Sequence, residues 1–191
     1  MFDLDQFIAE CRAALAESER PKALREVVAR AVADPGAIMA RLGEPQRAGV
    51  QRLYHSPDLT ILNVLWGPGM TIMPHNHHMA AVIGLYSGRE DNIFWRRIET
   101  EDGPHIEAAG ARSIGLRDCV PLGRDIIHSV TNPLSKITGA IHLYEGDFFA
   151  VPRSEWEPET LTERECDIEK AMRLFEDANA RLTTPVVGSN T

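Results

Sequence analysis

The sequence predicts a mainly β protein, a small barrel or jelly roll with helices ahead of it and one helix behind. Three observations carry this. Apolar residues of the first 45 positions recur at helical spacing, those from about Val50 to Tyr144 follow a period of two between turn residues, and helical spacing returns after Val151-Pro152. Short strands at regular intervals, punctuated by Gly, Pro and Ser, indicate a sandwich or barrel rather than a parallel α/β sheet. A chain of 191 residues is expected to form one domain, with a helical region at 1–45, a barrel at 46–153 and a C-terminal helix and tail at 154–191.

Leu4, Phe7, Ile8, Cys11 and Leu15 make one apolar helical stripe, opposite Asp5, Gln6, Glu10 and Arg12. Leu24, Val27, Val28, Ala31 and Val32 repeat it after Pro21, and Asp34-Pro35-Gly36 ends it; Ile38 to Leu42 adds a short third helix. Strands are expected at 58–66, 70–73, 79–86, 92–98, 111–116, 119–122, 126–130 and 137–144. Thr162 with Glu165 reads as a capping box for a last helix, whose stripe of Ile168, Met172, Phe175 and Leu182 is expected to pack on the outside of the barrel. The final run T-T-P-V-V-G-S-N-T shows no periodicity and reads as a tail.

The formal net charge of −8 argues against a nucleic-acid or anionic-membrane surface. The three cysteines, Cys11, Cys119 and Cys166, are odd in number and lack C-x-x-C spacing, so neither a disulfide framework nor a thiolate zinc site is expected. Cys119 reads as a small buried hydrophobe. The acidic amphipathic start is unlike a secretion signal, and no apolar run reaches membrane-spanning length, so a cytoplasmic location is expected.

One stretch carries chemistry: G-P-G-M-T-I-M-P-H-N-H-H, Gly67 to His78. His75 and His77 lie two apart in a strand-like run, hence on one face. Two imidazoles on one face can share a metal ion such as Fe, Zn, Cu or Ni. His78 should then face the other way, and His55 and His105 read as ordinary core or surface histidines.

Two longer patterns resemble the motifs of the cupin superfamily, the double-stranded β-helix or jelly-roll barrel. The first runs Gly69, five residues, His75, one, His77, three, Ala81, six, Gly88. The second runs Gly115, five residues, Pro121, one, Gly123, four, His128, three, Asn132. Each pattern departs in one place: in the first, Ala81 stands where the superfamily usually has Glu, and in the second, the Gly123–His128 gap is longer than usual. The resemblance implies a metal site of His75, His77 and His128 with no carboxylate. Such a site is neutral and leaves a divalent ion its full charge.

Within the cupins, W-G-P-G, V-I-G-L-Y-S-G-R-E, H-S-V-T-N and I-H-L-Y-E-G, in this order, are similar to runs of the thiol dioxygenase family, which includes cysteine dioxygenase and 3-mercaptopropionate dioxygenase. That resemblance implies an iron(II) enzyme using O2 to convert a small thiol to a sulfinate. It makes His142 and Tyr144 catalytic and offers Arg52 and Arg153 for a substrate carboxylate. Ala140 replaces the Ser that completes a Ser-His-Tyr relay in the family, and the absence of Cys at 81–83 implies an uncrosslinked Tyr144. Read without the resemblance, His142 and Tyr144 are equally core residues and the two arginines surface cations. The rival functions are another three-histidine cupin enzyme, either a C–C-cleaving dioxygenase or an isomerase or hydrolase using Zn, Mn or Ni, and a non-catalytic small-ligand or metal-binding cupin. The substrate, the native metal and the oligomeric state stay open.

Overall fold

The computed structural model describes residues 1–101 and 103–183; the expected tail beyond Thr183 lies outside them. Helices come first: α1 (Leu4–Ala14), α2 (Arg20–Val32) and α3 (Pro35–Leu42). Asp3 and Asp34 cap α1 and α3, accepting hydrogen bonds from the backbone N–H of Gln6 and Ala37 at 3.0 and 3.1 Å. Pro21 and Pro35 sit in first turns, where a missing N–H costs nothing.

Eleven strands follow among the described residues: β1 (Gly49–Ser56), β2 (Leu59–Trp66), β3 (Thr71–Asn76), β4 (Ala81–Ser87), β5 (Arg89–Thr100), β6 (Gly103–Gly115), β7 (Cys119–Leu122), β8 (Ile127–Thr131), β9 (Thr138–Tyr144), β10 (Ser154–Trp156) and β11 (Glu163–Glu165). They form two antiparallel sheets, ordered β1-β2-β9-β4-β7 and β11-β10-β3-β8-β5-β6.

The period of two sorts the side chains of the first sheet. Ile61 and Leu65 of β2, Val82 and Tyr86 of β4, and Ile141 and Leu143 of β9 pack with the helices. Leu62, Val64 and Trp66, Ile83 and Leu85, and Ala140 and Tyr144 join Ile114 and Val130 of the other sheet in a second core between the sheets. Every residue of β2 is therefore buried, one face under helices and the other inside the barrel. Gly84 lets α2 approach closely: a Cβ there would stand 2.5 Å from Val28 and 2.8 Å from Val32.

Several expectations need correction. The Thr162–Glu165 capping box does not form, because Glu163–Glu165 pairs with β10 as β11. The last helix, α4 (Ile168–Thr183), starts later, with Asp167 accepting from Lys170 N at 2.8 Å. Its stripe is not core throughout: Phe175 and Ala178 are buried, whereas Ile168, Met172 and Leu182 are 52%, 43% and 42% exposed. Phe175 stacks on Trp66 at 5.6 Å, so α4 sits against a residue of the barrel interior rather than on its outer face. The second sheet takes in β10 and β11, beyond residue 153, and the strand expected at 111–116 is the end of the longer β6. Cys119 is half-buried, its thiol donating to the Arg25 carbonyl at 3.4 Å. Among the described residues no helix is long and apolar enough to cross a membrane.

Candidate metal centre

β3 and β8 bring the histidines together. His75 and His128 are direct cross-strand partners, and a register shift between Ile72 and His75 re-aims the end of β3. β3 stops at Asn76, so His77 lies just past it rather than inside the strand. His78 takes φ +53° in the turn that follows and stays out of the cluster. The Nε2 atoms of His75 and His77 are 3.1 Å apart, and those of His77 and His128 are 3.4 Å apart. Nitrogens about 2.1 Å from one ion lie about 3.0 Å apart at right angles and about 3.4 Å apart in a tetrahedron. The group has the spacing to hold one metal ion.

The hydrogen bonds around the rings select the tautomer such an ion needs. His75 Nδ1–H donates to the Met73 carbonyl at 2.9 Å, and His128 Nδ1–H donates to Asn92 Oδ1 at 2.6 Å. Both leave Nε2 as a bare lone pair. His77 is held by aromatic rings, Tyr144 at 4.9 Å and Phe148 at 6.1 Å between centroids. Burial lowers His75 to about 4 and lowers His77 and His128 well below the ordinary imidazole value, with neighbouring histidines adding to the effect. All three rings are therefore neutral at pH 7. Ala81 faces the core between the sheets, and no carboxylate or thiol joins the three-histidine group among the described residues.

Two residues that sequence reasoning did not single out lie behind the ligands. Glu90 is fully buried on β5, its Oε2 accepting from Trp66 Nε1–H at 2.9 Å and its Oε1 from Asn92 Nδ2–H at 3.0 Å. Asn92 thus links the carboxylate to His128. Burial would raise the Glu90 carboxyl, but His142 and the Asn92 and Trp66 donors outweigh it and hold it below its ordinary value. A signal was present in the sequence: Glu90 and Asn92 alternate with Asp91 and Ile93, and the polar pair points inward while Ile93 is 43% exposed.

His142 and Tyr144 share the inward face of β9 with Ala140, as their spacing implies. His142 Nδ1 lies 3.1 Å from the Tyr144 hydroxyl, and its Nε2 lies 3.5 Å from Glu90 Oε2. The second distance is an electrostatic contact, because His142 Nε2 makes no formed hydrogen bond. A proton on Nε2 facing the carboxylate leaves Nδ1 to accept the Tyr144 O–H. Glu90 thereby faces His142 where Ala140 offers no hydroxyl. Burial raises the Tyr144 phenol above its ordinary range, so it stays protonated. All three cysteines are free.

A cavity of about 460 Å³ reaches this cluster. His75, His77, His142 and Tyr144 line it, as do both sequence-singled arginines, while His128 does not reach its wall. The Arg153 guanidinium lies 3.8 Å over the Phe148 ring and makes no hydrogen bond or ion pair with the described residues. Arg52 is exposed, 6.0 Å from the Phe149 ring centre. The structure thus gathers the seven residues singled out from sequence, six on the cavity wall and His128 behind it.

No protein-family model and no curated protein matches the sequence. Solved structures similar to it include the DMSP lyase DddQ from Ruegeria pomeroyi, at 18% identity and TM-score 0.46, with 59% of this chain and 53% of that one covered. An oxalate decarboxylase variant from Bacillus subtilis gives 17%, 0.41, 55% and 27%, so the chain spans about a quarter of that protein. A cupin 2 conserved barrel domain protein from Salinispora arenicola gives 19%, 0.39, 50% and 72%. The two antiparallel sheets enclosing a core, the helices on one of them and the three-histidine group make this a jelly-roll-type barrel with a site able to bind a metal ion.

Proposed function

We propose that the protein is a non-haem iron(II) dioxygenase that oxidises a small thiol acid, of cysteine or 3-mercaptopropionate type, to its sulfinate. The observation that carries this reading is the neutral three-histidine group opening onto a cavity that also presents Tyr144, His142 and an Arg153 guanidinium without an ion-pair partner among the described residues. Bound iron(II) supplies a site for thiolate sulfur and the activation of O2. The overall change, RSH + O2 → RSO2⁻ + H⁺, places both oxygen atoms on sulfur and needs no external reductant.

The chain's own residues have distinct tasks. Three uncharged imidazoles leave the site cationic when loaded, which attracts a thiolate. Arg153, held by Phe148, offers a planar donor pair to the substrate carboxylate, and Arg52 adds positive charge at the rim. The protonated Tyr144 hydroxyl, whose single O–H points to His142 Nδ1 in the free site, turns that proton toward negative charge developing in the cavity. The apolar walls limit water beside the reacting sulfur.

Metal analysis followed by O2-electrode measurements with a panel of thiols tests the reading. Iron as the retained metal and thiol-dependent O2 uptake are expected. Zinc retention with no uptake from any thiol would overturn it, and a diketone consumed with O2 would favour a C–C-cleaving cupin.

A further inference from the structure

The cavity is larger, more apolar and more one-sided in charge than a minimal thiol acid requires. At about 30 Å³ per heavy atom, the share of a molecule in liquid water, the six heavy atoms of 3-mercaptopropionate fill about 180 Å³. The cavity measures about 460 Å³. Its wall includes Val50, Phe149, Ile168, Met172 and Phe175, from β1, the loop after β9 and α4. Ile168 and Met172 are 52% and 43% exposed, apolar surface left uncovered at the cavity.

The charges are equally selective. Arg52 and Arg153 line the cavity, and neither guanidinium has an ion-pair or hydrogen-bond partner among the described residues. Glu155 is the one carboxylate among the described lining residues, and it is already engaged. Its Oε1 accepts from Arg164 Nε at 2.7 Å and its Oε2 from Asp167 N at 3.3 Å. An anion entering the cavity finds free guanidinium donors, whereas an ammonium finds two like charges and no free carboxylate.

We infer that the site takes an amine-free thiol acid with an apolar body, larger than 3-mercaptopropionate. The carboxylate meets Arg153, the apolar body lies against Met172 and Phe175, and the thiol points to the histidines. Only the role of the sulfur rests on the proposed dioxygenase reading; the acid group and the apolar body rest on the cavity itself.

Anaerobic titration calorimetry on the full chain, iron(II)-loaded and metal-free, tests this with four probes: cysteine, 3-mercaptopropionate, 2-benzyl-3-mercaptopropionate and its thiol-free analogue 2-methyl-3-phenylpropionate. On the loaded protein, the benzyl compound should bind at least about tenfold tighter than 3-mercaptopropionate, and cysteine at least about tenfold weaker. The thiol-free analogue should bind the metal-free protein and lose at least about tenfold in Arg153→Gln. Met172→Glu, at a position exposed enough to keep the fold, should erase the preference for the benzyl compound. Cysteine binding as tightly as 3-mercaptopropionate, or a benzyl group that brings no gain, would overturn the inference. Tight binding of the benzyl compound, with no O2 uptake when the same iron(II)-loaded protein and compound are then placed in an O2 electrode, would remove the dioxygenase reading and leave this one standing.

Discussion

Replacing Asn92 by Leu tests how the buried polar chain behind the histidines controls the metal site. The side chain accepts from His128 Nδ1 at 2.6 Å and donates to Glu90 Oε1 at 3.0 Å. Leucine keeps the volume and removes both contacts, leaving the His128 ring free to rotate or to take the other tautomer. Loss of such a partner behind a ligand typically lowers metal affinity about 10–100-fold, or about 1.4–2.7 kcal/mol. Two buried groups also lose partners, which costs about 1–3 kcal/mol each with or without metal. The two effects separate experimentally. Chelator competition reads the affinity alone, while the gap in Tm between loaded and metal-free protein should shrink by about 3–10 °C at saturating wild-type metal. An affinity within twofold of wild type would refute the idea that Asn92 fixes His128 for metal binding.

Further outcomes follow from other parts of the structure. His75→Ala, His77→Ala and His128→Ala should each abolish metal retention after desalting; stoichiometric metal on any one of them would remove that residue from the ligand set. Glu90 is held below its ordinary 4.5, so the stability it contributes is present above that pH and lost as the pH falls through the folded value. Glu90→Gln should therefore lower Tm at pH 7, with the difference from wild type narrowing below about pH 4.5; a difference independent of pH would contradict this. Gly84→Ala forces a Cβ to within 2.5 Å of Val28 Cγ1 and should cost about 1–3 kcal/mol, read as a lower Tm with metal affinity unchanged.

The elements easiest to read in the sequence are those whose pattern states one environment. In α1 and α2 the apolar stripe faces a single surface, and in β9 the 140–142–144 alternation faces the barrel interior, as the spacing implies. The histidine cluster was legible because P-H-N-H and H-S-V-T-N place His75 and His128 on strands that pair, opposite one another, with His77 just past the first of them. Harder to read were features that depend on tertiary partners. The 162–165 segment carries a capping box, yet β10 offers an edge to pair with, and pairing wins. The 168–172–175 stripe has the period of a core helix, but its three members line a cavity and two of them are exposed, which periodicity cannot distinguish from a core. Glu90 was missed because a carboxylate beside an Arg in a turn usually points to solvent; here Trp66, Asn92 and His142 surround it from other strands.

Product analysis tests the proposed oxidation of a thiol by both atoms of O2 at the three-histidine site most directly. After anaerobic loading with iron(II), thiol loss, O2 uptake and product mass should be followed together under isotopically labelled O2, with His128→Ala in parallel. The expected result is one O2 consumed per thiol and a sulfinate carrying two labelled oxygen atoms, with neither in the variant. Disulfide as the main product, a sulfinate labelled from water, or equal turnover by His128→Ala would contradict the account.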